Sequence, residues 1–186
     1  MTRNTRVATF VLVGVVALTA SALPRRAVAA SAAEIRRDSL TALQNLYDKE
    51  TAAKLLGEKA KGILVFPSIV KGGFVVGGQI GEGSLWKKGK VVGYYNSVAA
   101  SYGLQAGLQT FGYVLFFMND DALKQLDATK GFEIGVGPTI VVVDQGAAKS
   151  MTSNTLTSDV YAFIFSQKGL MAGLGIQGSK ISKIEK

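Results

Sequence analysis

KGILVFPSIVKGGFVVGGQIG, residues 61–81, is where the chain changes its grammar. Upstream, apolar residues recur with a period near 3.6. From Gly62 onward the period is two and glycine becomes frequent, which is the pattern of strands. Ile63 to Phe66 forms a short apolar run closed by Pro67, and between Gly73 and Gly81 the even positions Phe74, Val76 and Ile80 are apolar. The fold therefore divides at this stretch into helices before and sheet after.

On the N-terminal side, Ser31 to about Lys61 reads as two helices. Ile35, Leu40, Leu43, Leu46 and Tyr47 share one face of the first, with Arg37, Thr41, Gln44, Asn45 and Asp48 on the other. The second runs from about Thr51 to Lys61, with Ala52, Leu55, Leu56 and Ala60 inward and Gly62 as its stop. On the C-terminal side, Lys88-Gly89 is a hairpin tip leading into Val91 to Tyr95. Ser101 to Gln109 alternates as a half-buried strand, and Phe111 to Met118 continues as an apolar one. Asn119-Asp120-Asp121 is a helix start, an asparagine cap followed by two acids that the helix dipole favours. Gly135 to Asp144 reads as a strand, Gln145 to Thr155 as a loop, and Val160 to Phe165 with Leu170 to Ile176 as a last pair of strands around Gln167-Lys168-Gly169. The sum is α+β: N-terminal helices packed on a strongly curved, mostly antiparallel, barrel-like β-sheet with one inserted short helix.

Residues 1–29 have a different character. Arg3 and Arg6 precede an apolar run from Val7 to Leu18, and Ala27-Val28-Ala29 is a small-x-small cleavage site, the layout of a secretory signal. A retained membrane anchor is the alternative, against which stand Gly14 within the run and Pro24-Arg25-Arg26 at its end. Cleavage after Ala29 leaves residues 30–186 as a single domain. It also removes Arg3, Arg6, Arg25 and Arg26, so the net charge of +8 falls by four to +4. The expected location is outside the cytoplasm, periplasmic or secreted, with peripheral membrane association. With no cysteine the chain is neither disulfide-stapled nor a lipoprotein; Ser21 stands where an acylated cysteine would be.

The absence of histidine and cysteine removes the commonest general base, the thiol nucleophile and most transition-metal sites. Ser68-Ile69-Val70-Lys71 fits S-x-x-K, but the K-T-G and S-D-N partners of that chemistry are missing. GLGIQG at 173–178 has G-x-G-x-x-G spacing, yet only eight residues follow it, too few for the helix and acid of a dinucleotide site. No catalytic residue, metal or cofactor is expected, and a mild, unclustered positive charge does not call for nucleic acid.

Two segments carry binding signals. Leu85-Trp86-Lys87-Lys88-Gly89-Lys90 joins an amphipathic ring to three ammonium groups at a hairpin tip, a combination suited to an anionic headgroup layer. Lysines that blunt edge pairing are the plainer reading. The first helix, flanked by Arg36, Arg37, Lys49 and Lys54, is a second membrane-facing candidate, or simply packs on its own sheet. The triplet G-x-Q occurs at Gly77-Gln79, Gly103-Gln105, Gly107-Gln109 and Gly175-Gln177, each pair sharing one strand face. Those glycines either bend the sheet or line a groove carrying Gln79, Gln105, Gln109 and Gln177.

The stretches KGILVFPSIVKGGFVVGGQIGEGSL at 61–85, GYYNSVAASYGLQAGLQ at 93–109 and YVLFFM at 113–118 give the chain, from about Ala33 to its end, a resemblance to the SYLF domain family. The resemblance implies helices with a curved sheet, no enzymatic activity and phospholipid binding, with the amphipathic first helix, Ala33 to Tyr47, associated with membranes. Some fungal members also bind actin, a partner an exported chain would not meet. The expected function is reversible docking on an anionic phospholipid surface through Arg36, Arg37, Trp86, Lys87, Lys88 and Lys90. The alternative is a structural or interaction module with a protein partner in the cell envelope.

Overall fold

The computed structural model describes residues 30–73, 76–102, 107–127, 131–143, 151, 156–169, 176 and 178–186. The leader with its cleavage site, Phe74, Gln105, Gln177 and most of the Gln145–Thr155 segment lie outside the described residues.

Two helices, α1 (Ala32–Lys49) and α2 (Thr51–Lys59), precede β1 (Gly62–Gly73), β2 (Val76–Lys87), β3 (Lys90–Tyr102) and β4 (Gly107–Phe117). The short α3 (Asp120–Leu126) follows, then β5 (Phe132–Glu133), β6 (Ile140–Val142), β7 (Val160–Gly169) and β8 (Lys180–Ile184). The strands form one sheet in the order β5-β8-β3-β2-β1-β4-β7-β6, antiparallel throughout except for the parallel pair β6 and β7. The fold is α+β, with few helices and a sheet curled into a half-barrel.

The core shows the curl directly. Phe132 of β5 and Ile181 of β8 join the same buried cluster as Val160 and Ala162 of β7, although β7 and β8 are separated in the sheet by four strands. Only a rolled sheet brings them together. Phe66, Tyr95 and Tyr113 fill this inner face. The outer face carries a second cluster, in which Leu43 and Leu46 of α1 and Ala53 and Leu56 of α2 cover Val65, Val114, Phe116 and Trp86.

Local chemistry explains the helix boundaries. Ser31 and Glu34 form a reciprocal capping box at the start of α1, and the hydrogen bonds that the Glu34 carboxylate accepts from the Ser31 amide and hydroxyl hold it below its usual range. Asn119 caps α3 as its sequence predicts, accepting from the Ala122 amide at 2.8 Å. Lys88 and Gly89 both have positive φ, the backbone of a two-residue hairpin turn.

Several expectations are corrected. Pro67 does not end a strand: β1 runs through it, and the register shifts there against both neighbours. A bulge places the residue that lacks an N–H outside the regular ladder and brings Phe66 and Ile69 to the same inner face. Gly81 and Gly83 pass opposite this bulge, where a Cβ on Gly81 would lie 2.5 Å from the Ser68 carbonyl oxygen. Ser101 to Gln109 is not one strand, since β3 ends at Tyr102 and β4 begins at Gly107. Gly135 and Gly137 take positive φ in a turn, which shortens the expected Gly135–Asp144 strand to Ile140–Val142. Gln167-Lys168-Gly169 is no hairpin tip, because β7 continues to Gly169; the expected Leu170–Ile176 strand lies, apart from Ile176, outside the described residues, and the last described strand is Lys180–Ile184, paired with β3 on the other side of the sheet.

Candidate functional site

The outer face has two halves of unlike character. One is roofed by α1 and α2; the other, toward the β1–β2 turn, is bare of helix among the described residues.

On the roofed half, α1 stands as a ridge between two grooves. The first, of about 450 Å³, lies between Asn45, Leu46 and Lys49 of α1 and Val142, Phe163 and Phe165 of β6 and β7. The second, of about 530 Å³, has an apolar floor that includes Leu40, Leu43, Ile63 and Trp86. Lys59 and Lys61 from the end of α2 and Lys88 from the hairpin turn sit around it, with Glu58 the one acid among its lining residues. Tyr47 also lines this groove; burial, with the nearby Glu58 carboxylate adding to it, pushes its phenol up to about 12, so it stays neutral. Such a site offers apolar surface beneath a net positive rim. It can hold an amphiphile with an anionic head.

Trp86 requires a correction. Its ring is only 7% exposed, lies beneath the helices, and donates from Nε1 to Ser84 Oγ at 2.8 Å. Burying an apolar side chain of this size is worth about 1.5–3 kcal/mol or more, against about 1 kcal/mol for each lysine near an anionic surface. The ring stays in the core and forms groove floor; it does not project into a headgroup layer. Lys88 and Lys90 are exposed beside it and Lys87 is half-buried. Arg36 and Arg37 are exposed near the opposite, N-terminal end of α1, with Arg37 Nε bonded to Asp38 at 2.9 Å. The structure thus unites Lys88 with the Trp86 floor but leaves the arginine pair apart from them. Lys59 and Lys61 complete the groove and escape sequence reasoning, since only the fold brings the end of α2 and the hairpin turn to one groove.

The G-x-Q faces are also resolved in part. Lys71 of β1 stands directly between Gln79 of β2 and Gln109 of β4, and all three are buried on the inner face. Gln79 Nε2 donates to Ser179 Oγ at 2.7 Å, while Gln109 Oε1 accepts no hydrogen bond among the described residues. This is a buried polar row across three strands. Gln105 and Gln177, the other two glutamines of the expected groove, lie outside the described residues. Ser68, the other member of the S-x-x-K match, is exposed on the outer face, so it and Lys71 point to opposite sides of the sheet.

On the bare half, parity inverts the expected burial. From Ser84 to Val76 strand β2 has no bulge, so its even positions remain on the outer face, beyond the reach of the helices. Ile80 is 58% and Val76 59% exposed, and Leu108 of β4 is 65% exposed. Alternation alone places these residues inward; the structure places them in solvent and Gln79 and Gln109 inside. No helix is long and apolar enough to cross a membrane among the described residues, nor do these hold a cluster of potential metal ligands.

No curated protein matches the chain. A family model described as Las17-binding protein actin regulator, the Ysc84 family, matches residues 98–186, from the second half of β3 through β8. The family is not one of enzymes. Residues 98–186 are thus similar to the Ysc84 (SYLF) domain family.

Proposed function

We propose that the protein is a non-enzymatic domain of the cell envelope, exported to the periplasm or secreted, that docks reversibly on anionic phospholipid surfaces. The observation that carries this reading is the groove beside α1, where Lys59, Lys61 and Lys88 from two separate elements surround an apolar floor. Lysines there meet phosphates while the floor accepts apolar chain, and the exposed Arg36, Arg37 and Lys90 add long-range attraction. Three lysines at about 1 kcal/mol each give weak, salt-sensitive attachment, which suits reversible docking.

The test is co-sedimentation with vesicles of graded anionic content. Binding should rise with the anionic fraction and fall as salt rises, and the triple variant Lys59→Ala, Lys61→Ala, Lys88→Ala should lose most of it. A second reading has its own support, since the matching family is described by a protein partner, Las17, and by actin regulation. Under that reading the chain is a protein-interaction module. Binding to a protein partner through packed apolar surface would be far less sensitive to salt.

A further inference from the structure

The register of the sheet places an apolar stripe between two lysines on the bare half of the outer face. Lys180 of β8 pairs with Val98 of β3, Val98 with Ile80 of β2, Ile80 with Val70 of β1, Val70 with Thr110 of β4, and Thr110 with Lys168 of β7. These six residues cross six adjacent strands in one row, cation at each end and three exposed aliphatic side chains within. The next rows toward the β1–β2 turn contain Gly72, Gly78 and the exposed Leu108, then the exposed Val76. The stripe is therefore part of a wider patch.

A soluble sheet face left open to water normally alternates toward polar residues; this one spends its aliphatic residues on solvent and buries Gln79, Gln109 and Lys71 instead. An apolar centre with lysines at both borders matches one chemistry well. Aliphatic side chains enter the acyl boundary of a bilayer while lysine stems extend sideways to the phosphates. The chain also enters the fold close by. Lys186 Nζ binds both the Ala30 carbonyl, at 2.9 Å, and Glu82, and Glu82 is the next outward residue along β2 from Ile80. The helix bearing Arg36 and Arg37 begins there, which adds cations to the same end of the face.

We propose that this strand face, with Val70, Ile80, Val98 and Leu108 at its centre and Lys168 and Lys180 at its borders, is the surface that enters an anionic bilayer. The inference rests on the docking function proposed above and deepens it. The charged groove beside α1 holds headgroups, and the bare sheet face supplies the apolar insertion.

The absence of cysteine from the sequence makes the test direct. Single variants Ile80→Cys, Leu108→Cys and, on α3, Gln125→Cys are each labelled with an environment-sensitive fluorophore in protein purified from an exporting host. They are mixed with vesicles of phosphatidylglycerol and phosphatidylcholine, and sedimentation is followed in parallel. Labels at Ile80 and Leu108 should shift to the blue and become accessible to lipid-borne quenchers, while the label at Gln125 remains aqueous. The double variant Ile80→Asp, Leu108→Asp, checked for unchanged secondary structure, should bind vesicles about tenfold or more weakly, given the transfer cost of the lost apolar surface. Normal sedimentation with silent labels at Ile80 and Leu108 overturns the sheet-face assignment and leaves docking through the groove intact. Blue shifts that grow with protein concentration in the absence of vesicles identify a second copy as the occupant and also overturn it. No sedimentation with any vesicle removes both readings together.

Discussion

Gly83 passes so close to the Val65 carbonyl oxygen that no side chain fits between β2 and the bulged β1, and the Phe66 ring closes the same space. Gly81 is in the same position against Ser68 and Ile69. Gly78, three rows beyond Gly81, has nothing nearer than the Ala99 carbonyl oxygen at 3.5 Å. Gly83→Ala and Gly81→Ala should therefore each lower stability by about 1–3 kcal/mol or more, because backbone must move to admit the methyl group. Gly78→Ala should be tolerated. Urea unfolding midpoints of the three variants check this contrast.

Tyr113 and Ser97 provide a test of the inner core. The wholly buried Tyr113 hydroxyl donates to Ser97 Oγ at 2.7 Å, and both residues are shut off from solvent. Tyr113→Phe leaves the serine hydroxyl unpaired and should cost about 1–3 kcal/mol. Adding Ser97→Ala to it should recover part of the loss, since neither polar group is then left alone. A double-mutant cycle in urea measures the coupling.

Alkaline pH should unfold the protein through its tyrosines. Burial pushes Tyr47 up to about 12, and raises Tyr95 and Tyr113 as well, Tyr95 with the help of its 2.6 Å bond to Asp127. The unfolded value is about 10, so folding favours the neutral phenols. Their contribution is fully present below about pH 10 and is lost as pH rises toward the folded values. The urea midpoint should be level from about pH 6 to 9 and then decline, and Tyr47→Phe should make the decline shallower.

Much of this architecture is legible in residues 61–81, where the period changes, and in the caps and turns. Asn119 and Lys88-Gly89 announce themselves because their chemistry is local. Pro67 misleads because a bulge, which is a pairing event, absorbs it. Val76, Ile80 and Leu108 mislead more deeply: alternation identifies two faces but not which one is covered, and here the helices are too short to roof the whole outer face. Lys59 and Lys61 were invisible as site residues for a related reason. Nothing in their sequence neighbourhood tells that the end of α2 and the β2–β3 turn line one groove.

The buried ring of Trp86 makes a spectroscopic prediction. It is the only tryptophan, so intrinsic fluorescence reports on it alone. Emission should already be blue in free protein, should be quenched little by acrylamide, and should change little on addition of anionic vesicles. A large blue shift on vesicle binding would mean that the ring starts in water and moves into lipid, contrary to its place beneath α1 and α2.

Vesicle co-sedimentation of the protein purified from an exporting host, across phosphatidylglycerol fractions and salt concentrations, is the most direct measure of the docking function. The predicted result is binding that climbs with the anionic fraction and falls steeply with salt. Protein that stays in the supernatant with every vesicle at low salt contradicts the account.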